Sequence, residues 1–262
     1  MSARRALGVA QTTPVPGDVE ANLEQHLRLV RRAAPHRPDV LLFPELSLTG
    51  YELHDAARLA MSEDDSRLAS LRDAARRFEV TLVVGAPVRR GDRLHLGAFV
   101  CTPAGRVATY TKQRLGAFGA ADNPGGPIPP AERTVFVPGD LDPLVRLAHD
   151  HAAIAICADV GDPAHADHAA RRGASVYLAS MFVVPRALPA DRDRLTQYAA
   201  RHRMAVVFAN YGSGSGGMPA AGGSTIWSPA AEELVTLPRS GAGVAVACQE
   251  HDGWAAHALP CR

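Results

Sequence analysis

Three residues of complementary chemistry stand at equivalent places in this chain. Glu45 ends the run "VLLFPE", Lys112 ends "VATYTK" and Cys157 closes "AAIAIC". A carboxylate can take a thiol proton, a thiolate can attack an electrophilic carbon, and a compact ammonium can hold the oxyanion that forms. Taken singly, each has a plainer reading. A Cys closing an apolar strand is commonly a small buried hydrophobe, and a Glu after Pro44 can be a strand-end surface residue. Their shared position just past a β-like run favours the chemical reading, because ligand sites in α/β sheets collect at that edge. Composition singles out Lys112 as well: among 28 Lys and Arg residues it is the only lysine, which suits a task needing a point cation instead of a planar guanidinium.

The segment after the thiol, "ADVGDPAHADHAARRGA", reads as a tight turn running into a helix. A Cys at such a turn projects into a cleft, and the backbone N–H groups that follow, beginning with Ala158, can receive an oxyanion. The elements needed to position these groups are legible along the chain. Apolar runs of strand length recur: "ALGVAQ", "VLLFPE", "VTLVVGAPV", "LHLGAFVCT", "VATYTK", "AAIAICAD", "ASVYLAS", "AVVFAN", "STIWSP" and "GVAVACQE". Several are apolar at successive positions, as strands covered on both faces are. Between them, "DVEANLEQHLRLVRRAA" places Leu23, Leu27 and Val30 at helical spacing after Asp18, an N-cap residue. "SRLASLRDAARRFEV", "HADHAARRGA" and "DRDRLTQYAARHRM" also read as helices. Alternating strands and helices predict an α/β protein of layered sheets. Two Gly- and Pro-rich stretches, 116–132 and 210–223, are expected to be loops, where sites tend to be built.

Bulk composition narrows the partners. The 262 residues carry 28 Lys and Arg against 27 Asp and Glu, a formal net charge of +1, so neither nucleic acid nor a membrane surface is suggested and a small molecule or another protein is expected. The length fits one undivided α/β domain, 1–262. Cys101, Cys157, Cys248 and Cys261 form no C-x-x-C pair, which argues against a zinc site or a disulfide framework. The N-terminus lacks an apolar signal core and no run approaches a membrane span, so a soluble cytoplasmic protein is expected. Neither a dinucleotide-binding G-x-G-x-x-G opening onto a helix nor a phosphate-binding P-loop is present, and no repeat of solenoid spacing is found. The histidine pairs His149/His151 and His165/His168 lack the H-E-x-x-H pattern of a metalloprotease, and no metal is expected.

Order and spacing together carry a family resemblance. "FPELSLTGY" with Glu45, "YTKQRL" with Lys112 and "AICAD" with Cys157 resemble the three motifs of the nitrilase (carbon-nitrogen hydrolase) superfamily, in that order. Glu132 in "AERTVFVPGD" is similar to a second family glutamate. "FANYGS" and "GGSTIWSPAAEEL" resemble two later segments, so the likeness runs from about Gly8 to Cys248. The resemblance implies a four-layer αββα sandwich, assembled as a homodimer or larger homo-oligomer, acting on a small-molecule amide without metal or cofactor. It assigns Glu45 as general base, Lys112 and the Ala158 N–H to the oxyanion, Cys157 as nucleophile and Glu132 as a further catalytic residue that positions water.

Departures from the family pattern fall on the expected substrate wall. A "C-x-D-x-R-F-P-E" run found in some members reads "CADVGDPAHA" here: Asp159 is kept, while Gly161 stands for the Arg and Ala164 for the Glu. Loss of that Arg disfavours substrates bearing a carboxylate by this route. A strand-end Pro becomes Ser180, beside Met181 and Phe182. Ala158, Asp159, Ser180, Met181 and Phe182 are therefore expected to border the substrate, with His165 close by. The activity implied is an amidase acting on a small linear carboxamide through a Cys157 thioester. Alternatives are an N-carbamoyl amine amidohydrolase, a true nitrilase, and a catalytically silent ligand- or partner-binding member.

Overall fold

The computed structural model describes residues 5–251 and 253–261. Two β-sheets lie face to face. In the first, β1 (Ala6–Gln11), β2 (Val40–Leu42), β3 (Thr81–Arg90), β4 (Arg93–Cys101) and β5 (Val107–Thr111) are joined by the late strands β12 (Gly243–Glu250) and β13 (Gly253–Pro260), in the order β13-β12-β1-β2-β3-β4-β5. The second holds β6 (Val145–Arg146), β7 (His151–Ile156), β8 (Val176–Ser180), β9 (Ala205–Ala209), β10 (Thr225–Trp227) and β11 (Glu233–Thr236), in the order β11-β10-β9-β8-β7-β6. Each sheet is parallel at its centre, β1-β2-β3 and β7-β8-β9, and antiparallel outside it.

The parallel strands are covered on both faces, which is why they read as unbroken apolar runs. In β2, Val40 and Leu42 enter the core between the sheets while Leu41 turns to the outer layer. In β7, Ile154 and Ile156 face inward and Ala153 and Ala155 outward. The outer layer on the first sheet is α1 (Val19–Ala33) with α3 (Ala69–Arg77), through Leu29, Val30 and Leu71. On the second sheet it is α4 (Pro163–Arg171) with α5 (Leu188–His202), through Ala166, Leu195 and Tyr198. A short helix, α2 (Ala56–Leu59), adds Ala56 to the inner core. The architecture is the expected αββα sandwich.

Local chemistry sets the element ends. Asp18 accepts the Ala21 N–H at 3.0 Å and starts α1; Asp162 accepts the Ala164 N–H at 3.1 Å and, with Pro163 in the first turn, starts α4. Every strand and helix named from the sequence is present. The strands missed are β6, β11 and β13, which are short or, as in "GWAAHALP", lack β-branched residues. They form by pairing with stronger neighbours, Gly243 to Pro260 through Glu250 to Gly253 in the case of β13. No helix among the described residues is long and apolar enough to cross a membrane.

Candidate active site

Glu45 is delivered by the end of β2. The Phe43 N–H still bonds Val83 O at 2.9 Å, but Pro44 has no N–H and the ladder stops. The chain then tightens into a turn in which Leu46 has a φ of 51°. Gly85 of β3 permits the close approach: a Cβ there would lie 2.3 Å from Leu46 N and 2.6 Å from Pro44 O. The turn is held from three further sides. Ser180 Oγ donates to Phe43 O at 2.9 Å, the Leu48 N–H bonds Gly85 O at 3.0 Å, and the Tyr211 hydroxyl donates to Glu45 O.

Lys112 leaves the end of β5 with its N–H on Leu96 O at 2.8 Å. Its Nζ lies 2.6 Å from Glu45 Oε1 and 2.8 Å from Glu132 Oε1, and all three side chains are at most 2% exposed. Glu132 closes the neck of the 116–132 loop. Its Oε2 accepts the Gly116 N–H at 2.7 Å, its own N–H bonds Gly116 O at 3.1 Å, and Oε1 also accepts the Tyr51 hydroxyl at 2.9 Å. The loop tip is pinned by Asn123 Nδ2 on Gly217 O (3.0 Å) and by an Asp122–Arg186 ion pair (3.2 Å).

Cys157 follows β7 with a φ of 44°, a left-handed conformation uncommon for a residue with a side chain. The strain is supported by Asp159, whose Oδ2 accepts the Ile156 N–H (3.0 Å) and the Tyr110 hydroxyl (2.8 Å), and whose Oδ1 accepts the N–H groups of Gln113 (3.1 Å) and Arg114 (2.8 Å). One buried carboxylate thus ties the turn that presents Cys157 to the residues just after Lys112. The Cys157 sulfur sits 3.9 Å from Phe182 O.

The three groups bias one another's protonation. Burial raises Glu45 to about 7 against the pull of Lys112, with Glu132 pushing the same way as burial. Burial also pushes the Cys157 thiol well above its ordinary range, Glu45 adds to the shift, and Lys112 opposes it. Burial alone would lower Lys112, but Glu45, Cys157 and Glu132 outweigh it and the ammonium is stabilised. A fixed cation, a thiol that keeps its proton at rest, and a carboxylate poised near neutrality suit general-base activation of sulfur. Glu45 Oε2 has no hydrogen-bond partner among the described residues, leaving one carboxylate oxygen for that proton.

Glu45, Lys112, Glu132 and Cys157 therefore converge, with Ala158 half-buried beside the thiol and Phe182 in the cluster. The other residues expected at the wall have protein partners of their own or face another core. Both Asp159 oxygens are occupied by protein donors, so it holds the turn instead of reaching a substrate. The Ser180 hydroxyl is spent on Phe43 O. Met181 points to the opposite face of its sheet, into the core under α4 and α5, because neighbouring residues of an extended chain alternate. His165 sits behind the nucleophile turn, with Nε2 3.1 Å from the Tyr110 hydroxyl and Nδ1 2.9 Å from that of Tyr177. Beside the cluster, Tyr51, Phe118, Phe182 and Tyr211 form a run of aromatic rings with centroids 4.9–5.4 Å apart in successive pairs, and the Tyr51 and Tyr211 hydroxyls donate to Glu132 Oε1 and to Glu45 O. Tyr51 and Tyr211 stand inside the motifs "FPELSLTGY" and "FANYGS"; Phe118 lies in a Gly/Pro loop with no pattern to flag it.

Two sheets packed face to face thus bring together a thiol, an ammonium and a carboxylate from just past three strand ends and a second carboxylate from the loop neck. Residues 6–252 match the model of the carbon-nitrogen hydrolase family. The chain belongs to that family, within the nitrilase superfamily. It is 28% identical over 218 residues to an (R)-stereoselective amidase of Pseudomonas sp., covering 81% of this chain and 73% of that protein. It is 26% identical over 238 residues to a glutamine-dependent NAD(+) synthetase of Thermotoga maritima, covering 88% of this chain but spanning only 39% of that protein's length. Among solved structures, an amidase from Nesterenkonia sp. AN1 superposes with a TM-score of 0.79 at 25% identity, over 98% of this chain and 90% of that one; it carries the acetamide moiety of fluoroacetamide on its active-site cysteine. A variant of the same amidase in complex with butyramide matches at 26% identity and a TM-score of 0.79, over 92% and 89% of the two chains.

Proposed function

We propose that this protein is an amidase that releases ammonia from a small, uncharged carboxamide through a thioester on Cys157. The observation that carries the reading is the buried Glu45–Lys112–Glu132 cluster, with Nζ 2.6 and 2.8 Å from the two carboxylates, set against a thiol on a strained turn. In the first half-reaction Glu45 takes the thiol proton as sulfur bonds the amide carbon, and the carbonyl oxygen becomes an oxyanion held by Lys112 and the Ala158 N–H. Glu45 passes the proton to nitrogen, the C–N bond breaks, ammonia leaves and the acyl group remains on sulfur. Glu45 then takes a proton from water as its oxygen attacks the thioester; the C–S bond breaks, the acid departs and the thiol regains its proton. Glu132 keeps Lys112 aimed and borders the path of that water.

The aromatic wall of Tyr51, Phe118, Phe182 and Tyr211 suits a short apolar acyl group. The absence of an arginine at Gly161 fits an uncharged substrate. Likeness to an amidase captured with acetamide and butyramide groups supports the same range. Ammonia release from a panel of short amides, nitriles and N-carbamoyl amines, with Cys157→Ala as control, tests the proposal. Turnover of amides that disappears in the variant, with a transient acyl mass on Cys157, is the expected result. Equal activity in Cys157→Ala, or turnover confined to nitriles, would overturn it.

A further inference from the structure

Glu45 is the one group asked to move a proton in both half-reactions, so the turn that carries it must be held closely. Much of that hold comes from a residue on α1 that no motif singles out. His26 is fully buried and lies one helical turn after Asn22, on the same face. Its Nδ1 is 2.7 Å from Asn22 O and its Nε2 is 2.9 Å from Ser47 Oγ. A carbonyl only accepts, so Nδ1 carries the hydrogen and Nε2 offers a lone pair. Ser47 Oγ already accepts the Gly85 N–H at 3.2 Å, leaving its own hydrogen for Nε2. Both ends of the ring therefore select one neutral tautomer.

The same imidazole stacks on Phe43, with centroids 4.2 Å apart and planes 21° from parallel. Asn22 Nδ2 reaches Leu48 O at 3.2 Å. Helix α1 thus grips the chain two residues before Glu45 and two and three residues after it. We propose that His26, as a neutral imidazole with hydrogen on Nδ1, is a positioning residue that clamps Phe43 and Ser47 and so sets how Glu45 meets Lys112 and Cys157. This rests on the reading of Glu45 as the proton acceptor. The titratable groups facing Glu45 are Lys112 from the end of β5, Glu132 from the loop neck, Cys157 past β7, and the Tyr51 and Tyr211 hydroxyls. Among the described residues the His26 ring nitrogens meet the Asn22 carbonyl and the Ser47 hydroxyl, and burial pushes the imidazole down to about 4, so it stays neutral where Glu45 titrates.

Two variants test the clamp. His26→Phe keeps a ring against Phe43 and removes both hydrogen bonds; Ser47→Ala removes the hydroxyl alone. Alkylation of Cys157 by iodoacetamide, followed by mass of its proteolytic peptide against pH so that exposed Cys261 is counted apart, needs no substrate, and kcat and KM on the best amide of the panel supply the second readout. A Glu45 held less well by Lys112 needs a higher pH to lose its proton, so the acid limb of alkylation should move up by about half a pH unit or more. On the amide, kcat should fall roughly tenfold or more while KM stays within about threefold. A limb unmoved in folded His26→Phe and in Ser47→Ala overturns the proposal, even if activity falls. Should His26→Phe fail to fold, Ser47→Ala decides the question by itself. If wild type turns over no amide, the amidase reading fails while the alkylation limb still judges the clamp.

Discussion

Removal of the cation at the centre of the site, Lys112→Met, has a consequence whose size and sign follow from geometry. Nζ contacts two carboxylates at 2.6 and 2.8 Å in a region at most 2% exposed. At an effective dielectric near 20, each contact is worth on the order of 6 kcal/mol of Coulomb attraction, most of it offset by desolvation of the ions. Methionine fills the volume but leaves two buried carboxylates facing each other, and breaking a buried ion pair on one side typically costs about 3–5 kcal/mol. For a chain of this size that is a fall in Tm of roughly 10 °C. The cost depends on pH in a defined direction. Without the ammonium, Glu45 loses the group that did most to lower it, and its folded-state pKa rises beyond about 7 while its unfolded value stays near 4.5. A carboxyl raised in the folded state favours folding below the unfolded pKa, and that contribution is lost as pH climbs through the folded pKa. The variant should therefore be close to wild type at pH 5 and most destabilised at pH 8. Urea unfolding of both proteins across this range measures the difference. A penalty under about 1 kcal/mol at pH 8, or one of equal size at both ends, would refute the reasoning.

Three further outcomes are expected. Lys112→Arg should fold yet lose at least about a hundredfold in kcat on amides, since a planar guanidinium cannot present a point cation to two carboxylates and an oxyanion at once; steady-state kinetics on purified variant checks this. Asp159→Ala removes the acceptor of three N–H groups and the Tyr110 hydroxyl, and should cost about 3 kcal/mol or more while slowing Cys157 alkylation, read by chemical unfolding and intact mass. His26 is held near 4 when folded against 6.5 when unfolded. The unfolded chain binds its proton first as pH falls, so about 3 kcal/mol of stability should be lost between pH 6.5 and 4, and His26→Phe should flatten that slope in denaturant titrations.

The aromatic wall gives the proposed specificity a physical basis. Tyr51–Phe118 and Phe118–Phe182 meet edge to face while Tyr51–Phe182 and Phe182–Tyr211 are tilted, and the Tyr51 hydroxyl on Glu132 Oε1 joins these rings to the catalytic cluster.

How far the site could be read in advance differs from residue to residue. Glu45, Lys112 and Cys157 were legible because each follows a strand-like run; β2 and β7 lie in the parallel centres of their sheets, and β5, antiparallel to β4 as β4 is to β3, runs the same way as β3 and ends at the same edge. That the chain forms layered sheets was legible because double-sided burial makes continuous apolar strands, while the αββα order was implied by the family resemblance. Met181 and Phe182 were indistinguishable in the chain as neighbouring apolar residues; only alternation about the sheet sent one under the helices and the other to the site. Asp159, Ser180 and His165 sit next to the right motifs, yet their hydrogen bonds run to Ile156, Phe43, Tyr110 and Tyr177. A linear pattern records which groups are near in the chain and nothing about which partners the fold brings within hydrogen-bonding reach of them. His26 is the clearest case. In sequence it is one polar residue on an amphipathic helix, and the packing of α1 over the Glu45 turn, distant in sequence, is what makes it a clamp. By itself the sequence determined the chemistry available and the strand ends that carry it; tertiary structure determined the partners of each side chain, because hydrogen bonding and packing act over a few ångströms of space regardless of separation along the chain.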